Sequence, residues 1–298
     1  MKRKLVVSFS SGESSAFMAQ WCMAKWCKDN LDSEYEMLFI IANTGEENEK
    51  SLVFADRCDK YWNMGLVWVE AEVNFGQRKS STAKVVSFET ASRNGEPFEA
   101  MIQKYGIPNQ QFPHCTRELK TSVIKAYLRQ IGWRGYYTAI GYRSDEIDRV
   151  NKDYKKLRHI YPLISLVPMT KIDINKFWRD MTFRVELKQY EDNCKVCWKK
   201  TLRKLLTIAK NNPERFDNFK KWEEKYENYT PVTRKANNAP YRFNRKGMSV
   251  NEILELSKLP FEEYRDERTV YVYKNDKLND IDLDIGGGRC NNEHCEPF

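Results

Sequence analysis

The residues Ser8-Phe9-Ser10-Ser11-Gly12-Glu13-Ser14-Ser15 gather hydroxyls and a glycine directly after the apolar run Leu5-Val6-Val7 and directly before an amphipathic helical pattern. A polar loop between a strand and a helix leaves backbone N–H groups and hydroxyls at the helix N-terminus. Free donors and the helix dipole favour an anion there. The loop lacks the G-x-x-x-x-G-K-[ST] of a Walker A motif and the G-x-G-x-x-G of dinucleotide folds. Its residues alone therefore fit a phosphate cradle or an ordinary capping turn.

Further downstream, Arg117, Lys120, Arg143 and Arg149 bring positive charge from separate segments, and guanidinium forks suit phosphate or sulfate oxygens. Asp145 and Glu146 either hold Mg²⁺ on a triphosphate or fix Arg143 and Arg149 by ion pairs. Cys194-Lys195-Val196-Cys197 is a C-x₂-C knuckle, and Cys290 and Cys295 form a C-x₄-C behind three glycines. Thiolates from two such knuckles suit Zn²⁺ or an iron–sulfur cluster; the alternatives are separate reduced thiols or a redox pair. His294 is a spare ligand candidate, and Cys22, Cys27 and Cys58 read as core or surface thiols.

The run Ser8 to Ser15 resembles the PP-loop, S-x-S-G-G-x-D-S, of N-type ATP pyrophosphatases and 3′-phosphoadenylyl-sulfate (PAPS) reductases. It looks closest to the branch found in phages and bacteria, with Ser8, Ser10, Gly12, Ser15, Ala16 and Met18 in register. Ser11 stands where that family has a glycine, and Ser14 where it has Asp or Thr. Ile41-Ala42-Asn43-Thr44-Gly45-Glu46 is similar to the family's second-strand end. His114-Cys115-Thr116-Arg117-Glu118-Leu119-Lys120 is similar to its C-T-x-x-L-K helix start, and Gly141-Tyr142-Arg143-Ser144-Asp145-Glu146 through Arg149 to its G-x-R-x-D-E-x-x-R segment.

The resemblance implies an adenine nucleotide, ATP or PAPS, with Mg²⁺. Ser8, Phe9, Ser10, Ser11, Gly12, Ser14, Ser15, Asn43, Thr44, Glu46 and Gly141 would bind it, and Cys115, Arg117, Lys120, Arg143, Asp145 and Arg149 would act in catalysis. Asn193-Cys194-x-x-Cys197-x-x-Lys200 resembles an N-C-x-x-C-x-x-K element whose relatives imply a [4Fe–4S] cluster, so Cys115 competes with Cys290 or Cys295 for a ligand position. The implied activity is adenylation of a substrate, releasing AMP and pyrophosphate, with sulfur transfer to a nucleic acid as an extension. PAPS reduction is the alternative, although Glu293-His294-Cys295-Glu296 only partly echoes the reductase motif. A non-catalytic nucleotide-binding protein is the third reading.

These residues need a frame. The chain has 298 residues, 41% hydrophobic, enough for a full core. A net charge of +8 suits a polyanionic ligand or a solvated surface. No apolar stretch approaches the roughly 18 residues of a membrane span, and the short apolar run after Met1-Lys2-Arg3-Lys4 is no secretory signal; the expected location is cytoplasmic. Strand patterns at 4–9, 35–42, 66–71 and 136–140 alternate with helical ones, while 73–95 reads as irregular and 115–131 as one helix. This order predicts an α/β, Rossmann-like doubly wound parallel sheet, adenine nucleotide α-hydrolase-like by the resemblance. The expected division is a nucleotide-binding domain over 1–168 and a helical, cysteine-bearing subdomain over 169–298. The aromatic and basic stretch from Phe177 to Tyr229 either stacks on nucleic acid or forms amphipathic helices.

Overall fold

The chain lays down buried strands and helices in alternation from its start. A computed structural model describes residues 2–26, 34–76, 79–231, 239–244 and 247–265. Strand β1 (Arg3–Ser8) leads to helix α1 (Glu13–Trp26), then β2 (Tyr35–Asn43), α2 (Glu49–Trp62) and β3 (Val67–Glu72). Then come β4 (Thr82–Val86), α3 (Glu96–Tyr105), α4 (His114–Thr116), α5 (Ser122–Gln130), β5 (Tyr137–Ala139), α6 (Tyr154–Leu157), β6 (His159–Ile160) and α7 (Pro162–Ser165). The helices α8 (Lys171–Asp180), α9 (Leu202–Asn211), α10 (Asp217–Tyr226) and α11 (Val250–Leu256) complete it.

The sheet order is β4-β3-β2-β1-β5-β6, with β1 parallel to both β2 and β5. Strand order therefore reverses beside β1, and the crevice at the carboxyl ends of β1 and β5 is where such sheets take ligands. The α/β expectation and its mostly parallel sheet hold. Residues 73–95, read as irregular, contain β4, which pairs antiparallel with β3. Its residues are exposed or half-buried, so an edge strand with no continuous apolar run left little pattern to read.

Side chains alternate across β1. Leu5 and Val7 join Met18, Leu52, Phe54 and Trp178 on one face, while Val6 joins Val123, Leu128, Ile208 and Trp222 on the other. The boundary expected after residue 168 falls just before α8, and both cores run across it. The rings expected either to stack on nucleic acid or to form amphipathic helices lie inward: Trp178, Phe219, Trp222 and Tyr226 are buried, and Trp222 stacks on Phe98 at 5.2 Å. Burying an aromatic side chain there is worth about 1.5–3 kcal/mol, and a ring so placed offers no face to a base. Cys22 and Cys58 are core thiols, whereas Cys27 lies outside the described residues. Among the described residues, no helix is long and apolar enough to cross a membrane.

Candidate nucleotide and thiol site

Strand β1 ends at Ser8, and the following loop folds onto itself. The Ser15 hydroxyl accepts from Ser10 N–H at 3.1 Å and from the Ser10 hydroxyl at 3.0 Å, and donates to the Gly12 carbonyl at 2.9 Å. Ala16 N–H also donates to that carbonyl, at 3.0 Å. Ser11 adopts φ +61°, the left-handed region where glycine is the natural occupant. The position at which Ser11 departs from the PP-loop pattern is therefore one where the backbone conformation favours glycine.

The end of β5 touches this loop because residue 141 has no side chain. A Cβ on Gly141 would lie 3.0 Å from Ser15 Cα and 3.3 Å from Ser15 N. Two residues on, Arg143 donates from Nη1 to the Ser14 hydroxyl at 3.3 Å and from Nε to Asp145 at 2.9 Å. Glu146 lies 3.3 Å from Arg143 and 2.5 Å from Arg149. Asp145 and Glu146 thus form ion pairs with Arg143 and Arg149. Arg149 also packs over the Tyr142 ring at 4.1 Å.

Loop, β5 end and arginines line a cleft of about 730 Å³, within the size range of small-molecule sites. Lys120 lines it from a π-helical turn, Arg117–Thr121, where one continuous α-helix was expected; such turns recur at functional sites. Its ammonium lies 3.7 Å from Glu47. Arg117 does not reach the cleft: its exposed guanidinium bonds Glu118 at 2.6 Å and His114 at 3.0 Å.

The second-strand residues expected to hold the nucleotide turn away from the cleft. Asn43 donates to Glu70 at 2.6 Å and to the Ser92 carbonyl at 2.8 Å. Thr44 donates from N–H to Glu47 at 2.8 Å. Glu46 accepts from Asn218 at 2.6 Å and lies 3.9 Å from Lys195. Burial pushes the Glu46 carboxyl up to about 7, while Lys195 and Asn218 pull the other way. Ile41, Ala42 and Glu47 are the residues of this segment that face the cleft. An Asn-Thr-Gly-Glu string looks equally polar whether it points at a ligand or at Glu70, so the sequence carried no signal of this.

The C-x₂-C knuckle is clamped onto the same loop. Cys194 makes an antiparallel bridge with Glu47. Asn48 N–H donates to the Asn193 carbonyl at 2.7 Å, and Lys195 N–H to the Glu46 carbonyl at 2.8 Å. The Asn193 side chain donates to the Ser10 carbonyl at 2.5 Å. Lys200, buried, donates to the Cys194 carbonyl at 3.2 Å. Cys194 and Cys197 consequently line the cleft beside Gly12.

Cys115 comes up beside Cys197 from the start of α4. Burial pushes the Cys115 thiol up and Cys197 adds to that, whereas Trp198, Lys199 and Lys120 pull it down. Burial also pushes the Cys194 thiol up, opposed by Lys120 and Lys200. Cys290, Cys295 and His294 lie outside the described residues. Among the described residues, no group of three or more His, Cys, Asp or Glu side chains is arranged to hold a metal ion. Sequence reasoning missed Glu47, Lys171 and Lys188 in the cleft wall; isolated charges outside a motif gave it nothing to find.

Fold and cleft together define a class: an α/β protein whose mostly parallel sheet carries a serine-rich loop at the end of its first strand, with the thiols of Cys194 and Cys197 in the cleft lining. No protein-family model matches the sequence. The chain belongs to the family of the uncharacterized nin region protein ORF290 of Escherichia phage lambda, with which it is 30% identical over 210 residues, 69% of each chain.

Proposed function

We propose that this protein is a PP-loop enzyme that binds ATP in the cleft and activates a substrate by adenylation. The observation that carries the reading is convergence. The Ser8–Ser15 loop, Lys120, Arg143, Arg149 and the thiols of Cys194 and Cys197 all open into one cleft. The loop N–H groups and the N-terminus of α1 would take the β,γ-phosphates, and Arg143, held against Ser14, would neutralise charge on them. A substrate oxygen would attack the α-phosphorus, and the bond to the β-phosphate oxygen would break. Pyrophosphate would leave with its charge on the loop, so catalysis rests on positioning and electrostatics. Mg²⁺ would travel on the triphosphate, with Asp145 and Glu146 as the carboxylates at hand.

The thiols support sulfur chemistry on the activated substrate, with a nucleic acid as the proposed acceptor. A thiolate-bound [4Fe–4S] cluster or Zn²⁺ would draw on Cys194 and Cys197 in the cleft and on Cys290 and Cys295, which lie outside the described residues. When bound, such a cluster would supply electrons or carry sulfur. The thiols in the cleft also favour a second reading, PAPS reduction, in which a thiolate takes the sulfonate and adenosine 3′,5′-bisphosphate leaves. Incubation with labelled ATP and nucleic acid should give AMP and pyrophosphate; ADP and phosphate would sink the adenylation reading, and sulfite release from PAPS with an added thiol would favour the second.

A further inference from the structure

Positive charge gathers at one place on the rim of the cleft. Arg149, which lines the cleft, opens the run Arg149-Val150-Asn151-Lys152-Asp153-Tyr154-Lys155-Lys156-Leu157-Arg158. Five basic side chains against one acidic leave +4 in this run, half of the net +8 of the whole chain. Every residue from Lys152 to Arg158 is exposed. Among the described residues, Lys152, Lys155 and Lys156 form no ion pair.

The run is seated on the core. Arg149 packs over the Tyr142 ring at 4.1 Å, Tyr142 stacks on Tyr161 at 5.7 Å, and Tyr154 meets Tyr161 edge-on at 6.3 Å. The Tyr161 hydroxyl also accepts from Asn151 N–H at 3.2 Å. Tyr142 and Tyr161 are buried with Ile140 at the end of β5. At the far end, Arg158 donates to the Gly135 carbonyl at 2.5 Å, next to the exposed Arg134. The lysines are thus held in place beside the cleft, and they begin where its lining ends. Like charges so crowded repel one another in the free protein, and a polyanion relieves that repulsion. A lone phosphate would be met inside the cleft. Cations that continue out of it along the surface fit an anion that repeats, and the exposed Tyr154 adds a ring within reach of a base.

We propose that Lys152, Lys155 and Lys156, with Arg134 beyond them, form a docking strip for the phosphate backbone of a nucleic acid, one nucleotide of which enters the cleft. This rests on the reading of a nucleic acid as the acceptor and adds where that acceptor is held. The contacts are to phosphates, so binding is indifferent to sequence and falls steeply with salt.

The test measures fluorescence anisotropy of a labelled mixed-sequence single strand, and of its duplex, on the full-length protein. Lys152→Gln/Lys155→Gln/Lys156→Gln should bind at least about tenfold more weakly at about 0.15 M salt, with the slope of log affinity against log salt reduced by about 2–3. ATP affinity by calorimetry should not change. The control Lys84→Gln/Lys220→Gln/Lys221→Gln loses the same charge from exposed positions on other elements, Lys84 on β4 at the opposite sheet edge and the others on α10. Screening should hold its loss to about twofold. If wild type binds the strand and the first variant binds it equally well, or no worse than the control, the strip is wrong while the nucleic acid reading stands. If wild type binds no nucleic acid, both fall. Binding of phosphatidylserine vesicles or polyglutamate as tight as that of the strand, and lost on the same substitutions, overturns the choice of partner. Should the triple variant fail to fold, judged by circular dichroism, Lys155→Gln alone decides: its salt slope should fall by about 0.7–0.9, and an unmoved slope overturns the proposal.

Discussion

Replacing Glu46 by Gln removes a carboxyl that is 1% exposed and keeps its shape and its bond from Asn218. In the folded protein that carboxyl titrates at about 7, against an ordinary value of 4.5. The cause is burial, which Lys195 and Asn218 offset only in part. A raised folded value means the native state holds its proton more tightly than the unfolded chain does. Stability from this group is therefore fully present below about pH 4.5, declines as pH rises, and is lost once pH passes about 7. At about 1.4 kcal/mol per pH unit, the gap corresponds to about 3 kcal/mol. With a urea slope near 3 kcal/mol/M, that is a midpoint change of about 1 M. Urea unfolding of wild type and Glu46→Gln from pH 4.5 to 8 reads it directly, because the difference between the two curves cancels the three histidines and every other titrating group. Glu46→Gln should gain on wild type by that amount as pH rises. Parallel curves across the range would refute the idea that Glu46 is a desolvated carboxyl.

Three substitutions probe the geometry elsewhere. Ser11→Gly releases a left-handed serine at φ +61°; relief of about 1–2 kcal/mol less about 0.5–1 kcal/mol of glycine entropy predicts a small rise in melting temperature. Gly141→Ala puts a Cβ 3.0 Å from Ser15 Cα, so the loop must give way; ATP affinity by calorimetry should fall at least about tenfold, or about 1.4 kcal/mol, with circular dichroism unchanged. Gly95→Ala meets φ +78° and atoms of Trp222 at 2.4 Å and Glu46 at 2.5 Å. Strain and overpacking together should cost about 3 kcal/mol in urea unfolding.

Parts of this arrangement were legible in the residues. Leu5-Val6-Val7 followed by the serine loop specified a strand, a turn and a helix, because an apolar run and a helix start each carry a local signal. Cys194 and Cys197 were legible by spacing, and their place beside the loop followed from Asn193, whose bond to Ser10 no spacing rule encodes. The direction in which Asn43, Thr44 and Glu46 point was not legible, because Glu70 and Asn218, which hold Asn43 and Glu46, lie on other elements. Phe219 and Trp222 read as stacking rings or, the favoured reading, as part of amphipathic helices; the packing of α10 against α3 buries them as core rings. Lys199 was one lysine in a basic run; in the structure it is buried like Lys200, which bonds the Cys194 carbonyl, but has no hydrogen-bond partner among the described residues.

The bridge between Glu47 and Cys194, with Asn193 on Ser10, ties the serine-rich loop and the thiol knuckle into a single strut. No hinge separates them: the bond that seats Asn193 also fixes the carbonyl at the loop's start. Thermodynamics then imposes a symmetry on whatever binds. If an occupant of the thiols tightens the hold on a phosphate by some factor, the phosphate must tighten the hold on that occupant by the same factor. Under the proposed function, loading of either end would become a report on the other, and the protein would register whether both reactants are present before any bond between them is made.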